Sequence, residues 1–416
     1  MPSSASLLLA LVFVAGIFEV ETCAPPRAVS LLRASFDTSG GEQAGMSRNK
    51  SAAAGTNRAA ARLGNHYLML VNSAVASQMD GQKLAQFDRS PYDGLAVSFE
   101  DAYDTSPVES AAAMEAQIAV WKKNTTKDIW PWVYLNRMVG GKDAEANEYA
   151  KVPYFQRIQG VDLDDSAGAQ KDFLQNWRNA LRVAKDTGVA GIVCDLEFYN
   201  NYKAYDLGEL SRLRGQPPSE LVKLLKQVGA RMADAGAAEY PGATLWFLFT
   251  GFTRPDYRVV DGQPTYFAAT YVVEGLLDRI EQRHLPLHVV TGGSVGLGYC
   301  HTSVDDLSQA IQKRASTFAP LLQEHGGILE LAGTMTLWND RSAKRTWVAQ
   351  GACGASTANT IEDLEPYMEL LFRSYRYNWI YGSPNGGYLA FQADTAPRFN
   401  AAISRAKTLA LGERSQ

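Results

Sequence analysis

The sequence predicts a (β/α)8 barrel, the TIM-barrel form of the α/β class, on three observations. Short apolar runs alternate with helical patterns about eight times over roughly 350 residues, the spacing of strand and crossover helix in such a barrel. Nearly every apolar run ends in a polar or acidic pair, as strand ends at a site mouth do. No strand-to-helix turn carries GxGxxG, which counts against an open doubly wound sheet, and the glycines of 292–298 read as a loop.

In order, the expected strands are Tyr67–Val71, Leu95–Phe99, Ile129–Leu135, Ile192–Leu196, Thr244–Phe249, His288–Val290, Thr334–Trp338 and Tyr377–Tyr381. Each is a short run of apolar, β-branched or aromatic residues bounded by polar ones. The expected helices are Val108–Lys123, Lys171–Lys185, Leu221–Ala235, Tyr266–Arg283, Leu307–Gln323 and Ile361–Tyr375, where apolar residues recur every three or four positions. The barrel is expected to fill residues 62–411 as one catalytic domain. Residues 34–61 are rich in Ser, Ala, Gly and Asn without apolar periodicity, so 25–61 reads as linker. Residues 1–24 read as a signal peptide, because Leu7–Val20 has the length of a signal core and is too short to span a bilayer. No Lys or Arg precedes that core. Glu21 and Thr22 before Cys23 match a lipoprotein cysteine poorly, so a secreted or periplasmic protein is favoured over one anchored through Cys23.

Composition narrows the partners. At 46% hydrophobic and 20% charged residues the chain has ample material for a core. A net charge of −4 argues against nucleic acid, and no stretch is built to span a membrane. Eight Trp and 19 Tyr are compatible with sugar-stacking surfaces, although most are expected in the core. The five histidines show no HExxH spacing and no CxxC occurs, so no metal or other cofactor is expected. Cys194 reads as a small core residue, while Cys300 and Cys353 both follow strands and are candidates to bridge two loops.

The chain is organised around Gly188–Tyr202, GVAGIVCDLEFYNNY. Asp195 and Glu197 close the fourth strand, and residues two apart share a face, so both carboxylates point the same way while Cys194 and Leu196 point the other. Two acids side by side at a buried strand end are costly unless they sit at a site mouth. The competing reading is a solvated strand end with an incidental ion pair. The same alternation aligns Ala96, Ser98 and Glu100 in the second strand and Trp130, Trp132, Tyr134 and Asn136 in the third. In the seventh it aligns Thr334, Thr336, Trp338 and Asp340. Glu100, Asn136, Asp195, Glu197, Trp338 and Asp340 are therefore expected to converge on one mouth, with Trp132, Tyr134, Tyr199 and Trp338 as walls for sugar rings. Barrel filling explains Trp130 and Trp132 equally well.

On these residues the sequence resembles the TIM-barrel glycoside hydrolases. Ala190–Glu197, AGIVCDLE, is similar to the tail of the chitinase signature DGxDxDxE, with Ala190 and Val193 where the signature has Asp. The resemblance implies Glu197 as the acid and Asp195 as the residue that orients the substrate's acetamido group. The layout also looks like the large retaining-glycosidase clan, which implies an acid/base at Glu197 and a nucleophile at Asp340. Leu196 and Asp340 stand where that clan has Asn and Glu. No particular family is identified.

The expected function is that of a secreted hydrolase acting on a carbohydrate substrate, a polysaccharide or glycoconjugate. One protonated carboxyl would assist the leaving oxygen, and one ionised carboxyl would stabilise or attack the sugar. Glu197, Asp195 and Asp340 are the catalytic candidates, with the partner of Glu197 either Asp340 or Asp195. The alternative is a non-catalytic barrel that binds carbohydrate or protein. A lyase or esterase is disfavoured by the absence of metal-ligand spacing. Oligomeric state is left open.

Overall fold

Eight parallel strands close into a barrel in which the last strand pairs back with the first. The computed structural model describes residues 66–75, 79–99, 109–134, 169–196, 207–248, 250, 259–260, 263–264, 268–293, 297, 301, 303–336, 361–382, 390–391 and 396–412. Along the chain the elements are β1 (Tyr67–Val75), α1 (Gly81–Asp88), β2 (Gly94–Ser98), α2 (Ala111–Trp121) and β3 (Asp128–Tyr134). Then come α3 (Ala169–Asp186), β4 (Gly191–Asp195), α4 (Leu207–Arg214), α5 (Pro218–Glu239) and β5 (Thr244–Phe247). A short antiparallel ribbon, β6 (Val259–Val260) and β7 (Gln263–Pro264), precedes α6 (Ala268–Arg283) and β8 (His288–Thr291). The chain continues through α7 (Val304–His325), β9 (Leu329–Thr336), α8 (Ile361–Ser374), β10 (Tyr377–Tyr381) and α9 (Ala396–Gly412).

All eight expected strands occur. The seventh begins at Leu329 instead of Thr334, and α1, α4, α9 and the ribbon were not anticipated. Three helices start where a side chain satisfies an otherwise orphaned N–H. Asp80 accepts from Lys83 N at 2.8 Å, Ser110 from Ala113 N at 3.2 Å and Ser303 from Asp306 N at 3.1 Å. Proline opens α5, where its missing N–H costs nothing.

Register decides which residues fill the barrel. Tyr67 lies opposite Tyr377, Ala96 opposite Trp130, and Val193 opposite Trp246. Four rings from β1, β3, β5 and β10 pack edge-on at the amino-terminal end of the bore. The centroid separations are 5.8 Å for Tyr67–Trp130, 6.0 Å for Trp130–Trp246 and 5.5 Å for Trp246–Tyr377. Tilted pairs of this kind add about 0.5–1.5 kcal/mol each beyond the burial of their area. Gly94 on β2 makes room for them, since a Cβ there would meet the Tyr67 hydroxyl and lie 3.0 Å from Trp130 Nε1. The alternate residues form the outer layer: Leu68, Leu70, Leu95, Val97 and Ile380 pack under helices that contribute Phe87, Ile118, Met368 and Phe399. The bore is thus a packed core at its floor. Its opposite, carboxyl-terminal end is the one available for chemistry.

Candidate active site

Asp195 is the last residue of β4 and is 2% exposed. Its direction follows from the register. Val193 sits beside Trp246, which lies in the floor cluster, so Asp195, two residues further along, points into the bore one layer higher. Tyr134 is its neighbour across the β3–β4 ladder, and Trp132 pairs with Val193 below. The Trp132 and Tyr134 rings lie 4.9 Å apart at 37°, a tilted pair on the strand that flanks Asp195. Both rings are buried.

Other inner-face residues occupy the same end. Ser98 closes β2 opposite Trp132, and Thr334 on β9 lies opposite Trp379 on β10. Trp379 donates to the Gly292 carbonyl at 2.8 Å, which pins the end of β8 to β10, and its ring lies 6.4 Å from that of Tyr381. Two polar atoms in this region are buried without a hydrogen-bond partner among the described residues, Nε1 of Trp132 and Oγ1 of Thr334. A buried donor left unmade costs about 1–3 kcal/mol, so such atoms are natural contact points for a polar ligand.

The floor beneath is polar in a different way. The Tyr67 hydroxyl donates to Asp128 Oδ2 at 2.9 Å and accepts from Trp130 Nε1 at 2.7 Å. Burial first, and then the Asp128 charge, hold the Tyr67 hydroxyl well above its ordinary pKa, so it stays protonated. Across the bore, His288 Nε2 lies 3.6 Å from Glu330 Oε1, and Arg376 reaches the same oxygen at 3.5 Å. These groups lie at the amino-terminal rim, where barrels carry stability and not catalysis.

Of the residues singled out from sequence, Asp195, Trp132 and Tyr134 are brought together at the carboxyl-terminal end of β3 and β4. Glu197, Asp340, Glu100, Asn136, Tyr199 and Trp338 lie outside the described residues, as do Cys23, Cys300 and Cys353. Cys194 is buried on the outer face of β4. Trp379 and Tyr381 were missed. The signal was present, because Tyr377, Trp379 and Tyr381 alternate with Asn378 and Ile380, a period-two aromatic face.

The fold and these residues define a closed (β/α)8 barrel with a buried carboxylate at the end of its fourth strand, flanked by an aromatic pair on the third. No protein-family model matches the chain, and no curated protein does. Among solved structures it is similar to endo-glycoceramidase II from Rhodococcus sp., with 11% identity over 80% of this chain and 79% of that one and a TM-score of 0.47. It is also similar to a GH18 chitinase from Pseudoalteromonas aurantia, with 10% identity, 82% and 99% coverage and a TM-score of 0.41. A sugar phosphate isomerase/epimerase from Parabacteroides distasonis gives 9%, 80% and 96%, and 0.40. Likeness at this level is a likeness of barrels and carries nothing about substrate. Among the described residues no helix is long and apolar enough to cross a membrane.

Proposed function

We propose that the chain is an exported glycoside hydrolase that cleaves a polysaccharide or glycoconjugate by carboxylate acid/base catalysis. The observation that carries this reading is Asp195, a carboxylate 2% exposed and directed into the bore beside the Trp132–Tyr134 pair. Catalytic groups in such barrels come from the carboxyl ends of several strands, and Asp195 stands at one of them. Glu197 follows two residues later in sequence. As general acid it would protonate the leaving glycosidic oxygen, with the charge of Asp195 raising its proton affinity. Asp340, after β9, is the candidate nucleophile or base, and Asp195 would take the partner's role if the chemistry is substrate-assisted. The orphan Trp132 N–H and Thr334 hydroxyl would meet sugar hydroxyls, while Glu100, Asn136, Tyr199 and Trp338 would complete the subsite.

Chromogenic aryl glycosides and insoluble polysaccharides test the reading. Glu197→Gln should lower kcat at least roughly 100-fold with binding retained, the low end for loss of a general acid. Asp340→Asn should be comparably severe and Asp195→Asn milder. If Asp340→Asn is active while Asp195→Asn is dead, the partner is Asp195. An enzyme that tolerates Glu197→Gln, or a chain that binds sugars and turns none over, removes the catalytic assignment.

A further inference from the structure

Away from the mouth, where α6 and α7 end, three carboxylates, Asp278, Glu281 and Glu324, gather about one buried imidazole, His325. Glu274, Asp278 and Glu281 are spaced by four and three residues on α6, so they line one face of that helix. Glu324 and His325 are the last two residues of α7. Chain order puts both helix ends at the amino-terminal rim, since α6 leads into β8 and α7 into β9. One oxygen each of Asp278 and Glu324 and one ring nitrogen of His325 lie within 4.8 Å of one another.

The imidazole distinguishes this cluster from an ordinary acidic patch. Its side chain is 4% exposed, with Nε2 3.9 Å from Glu324 Oε2 and Nδ1 3.4 Å from Glu281 Oε2. Nδ1 is buried and makes no hydrogen bond among the described residues, despite its nearness to Glu281. Lys226 of α5 serves the other end of the row, at 3.1 Å from Glu274 and 3.2 Å from Asp278. Burial first, opposed by Lys226 but reinforced by Asp278 and Glu324, raises the Glu274 carboxyl above its ordinary value. Glu324 also stands at the carboxyl end of α7, where the helix dipole adds further negative potential. The arrangement concentrates negative charge around a nitrogen ligand.

We propose that Asp278, Glu324 and Nε2 of His325 bind a zinc-class divalent cation that staples α6 to α7. One imidazole and two carboxylates are a ligand set for zinc and not for calcium or magnesium, which favour oxygen alone. Two carboxylates neutralise the ion, and its fourth position is left to water. Glu281 then has the outer role seen around metal-bound histidines, turning toward the far ring nitrogen to hold the ring and its tautomer. The ligands come from two helices on either side of a strand, so no sequence spacing announces them. The inference is independent of the proposed hydrolase activity.

The test uses the full, tag-free chain titrated with Zn2+ against a chromophoric chelator, with Co2+ as a spectroscopic stand-in. One ion per chain is expected, with the d–d absorption of a four-coordinate site and a higher Tm. Asp278→Asn and Glu324→Gln should each weaken binding at least about tenfold, and Glu281→Gln about 10-fold as an outer partner. These side chains are exposed, so the variants should fold even if His325→Ala does not. The Asp278→Asn/Glu324→Gln double variant should lose the zinc-dependent rise in Tm. Absence of stoichiometric zinc overturns the proposal. Zinc uptake unchanged in the double variant, or Ca2+ or Mg2+ bound as tightly as zinc, overturns it as well.

Discussion

Thr334 is fully buried on the inner face of β9, opposite Trp379, and its hydroxyl has no partner among the described residues. A valine of the same shape would keep the packing and remove an unmet polar atom, whose burial costs about 1–3 kcal/mol. Thr334→Val should therefore leave stability unchanged or raise it by about 1 kcal/mol in urea unfolding, while weakening any sugar that uses the hydroxyl. A loss beyond about 1 kcal/mol would show that the hydroxyl is already engaged. Trp132 is the companion case, a ring held against Tyr134 with its N–H unspent. Contrast Trp177, whose Nε1 donates to the Met232 carbonyl at 3.1 Å. That indole is satisfied, packs on Phe247 and belongs to the scaffold.

Among the described residues α5 packs closely against α6. A Cβ on Gly229 would meet the backbone carbonyl of Val272, and one on Gly275 would meet the backbone of Lys226. Main chain touches main chain there, which no larger residue permits. Alanine gains about 1 kcal/mol of helix propensity over glycine. Overpacking costs about 1–3 kcal/mol or more, and here the obstruction is backbone that cannot rotate away. The clash wins, so Gly229→Ala and Gly275→Ala should each lower the urea midpoint with m unchanged. A midpoint that rises in either variant refutes the contact. At this scale the sequence was most readable in the strands, because each is an apolar run cut off by polar residues. It was least readable where one element contains its own contradiction. β9 carries Glu330 and Gly333 within its first five residues, which look like a loop; the carboxylate is tolerated because His288 and Arg376 meet it. In α9, Pro397 reads as a breaker although it falls at the second position, where proline is accommodated. α1 has only Leu84 and Phe87 to bury, too few for a period to show. The site divides the same way. Asp195 and its aromatic neighbours were legible because alternation within a strand sets direction, while the cluster around His325 depends on two helices meeting.

Closure of the whole barrel brings two carboxylates to its floor with opposite proton linkage. Asp128 is half-buried, and burial raises its carboxyl above the ordinary 3.8 although the Tyr67 hydroxyl donates to it. The folded protein thus holds that proton more tightly than the unfolded chain, and stability from this group is lost as pH rises through the folded value. For Glu330, burial also pushes upward, but His288 and Arg376 together outweigh it and the carboxyl falls below 4.5. Its contribution is present above the unfolded value and lost as pH falls through the folded one. Its side chain is 35% exposed, so solvent screens the interaction and the effect is modest. Total acid unfolding mixes the two signs, whereas single substitutions separate them. Asn at 128 imitates the protonated acid, so the stability of Asp128→Asn relative to the parent should increase as pH is raised from about 3 to 6. Gln at 330 removes a carboxylate that the fold prefers ionised, so the relative stability of Glu330→Gln should decrease over the same interval. Urea midpoints at four or five pH values give both slopes, and two slopes of the same sign would mean that this account of the floor is wrong.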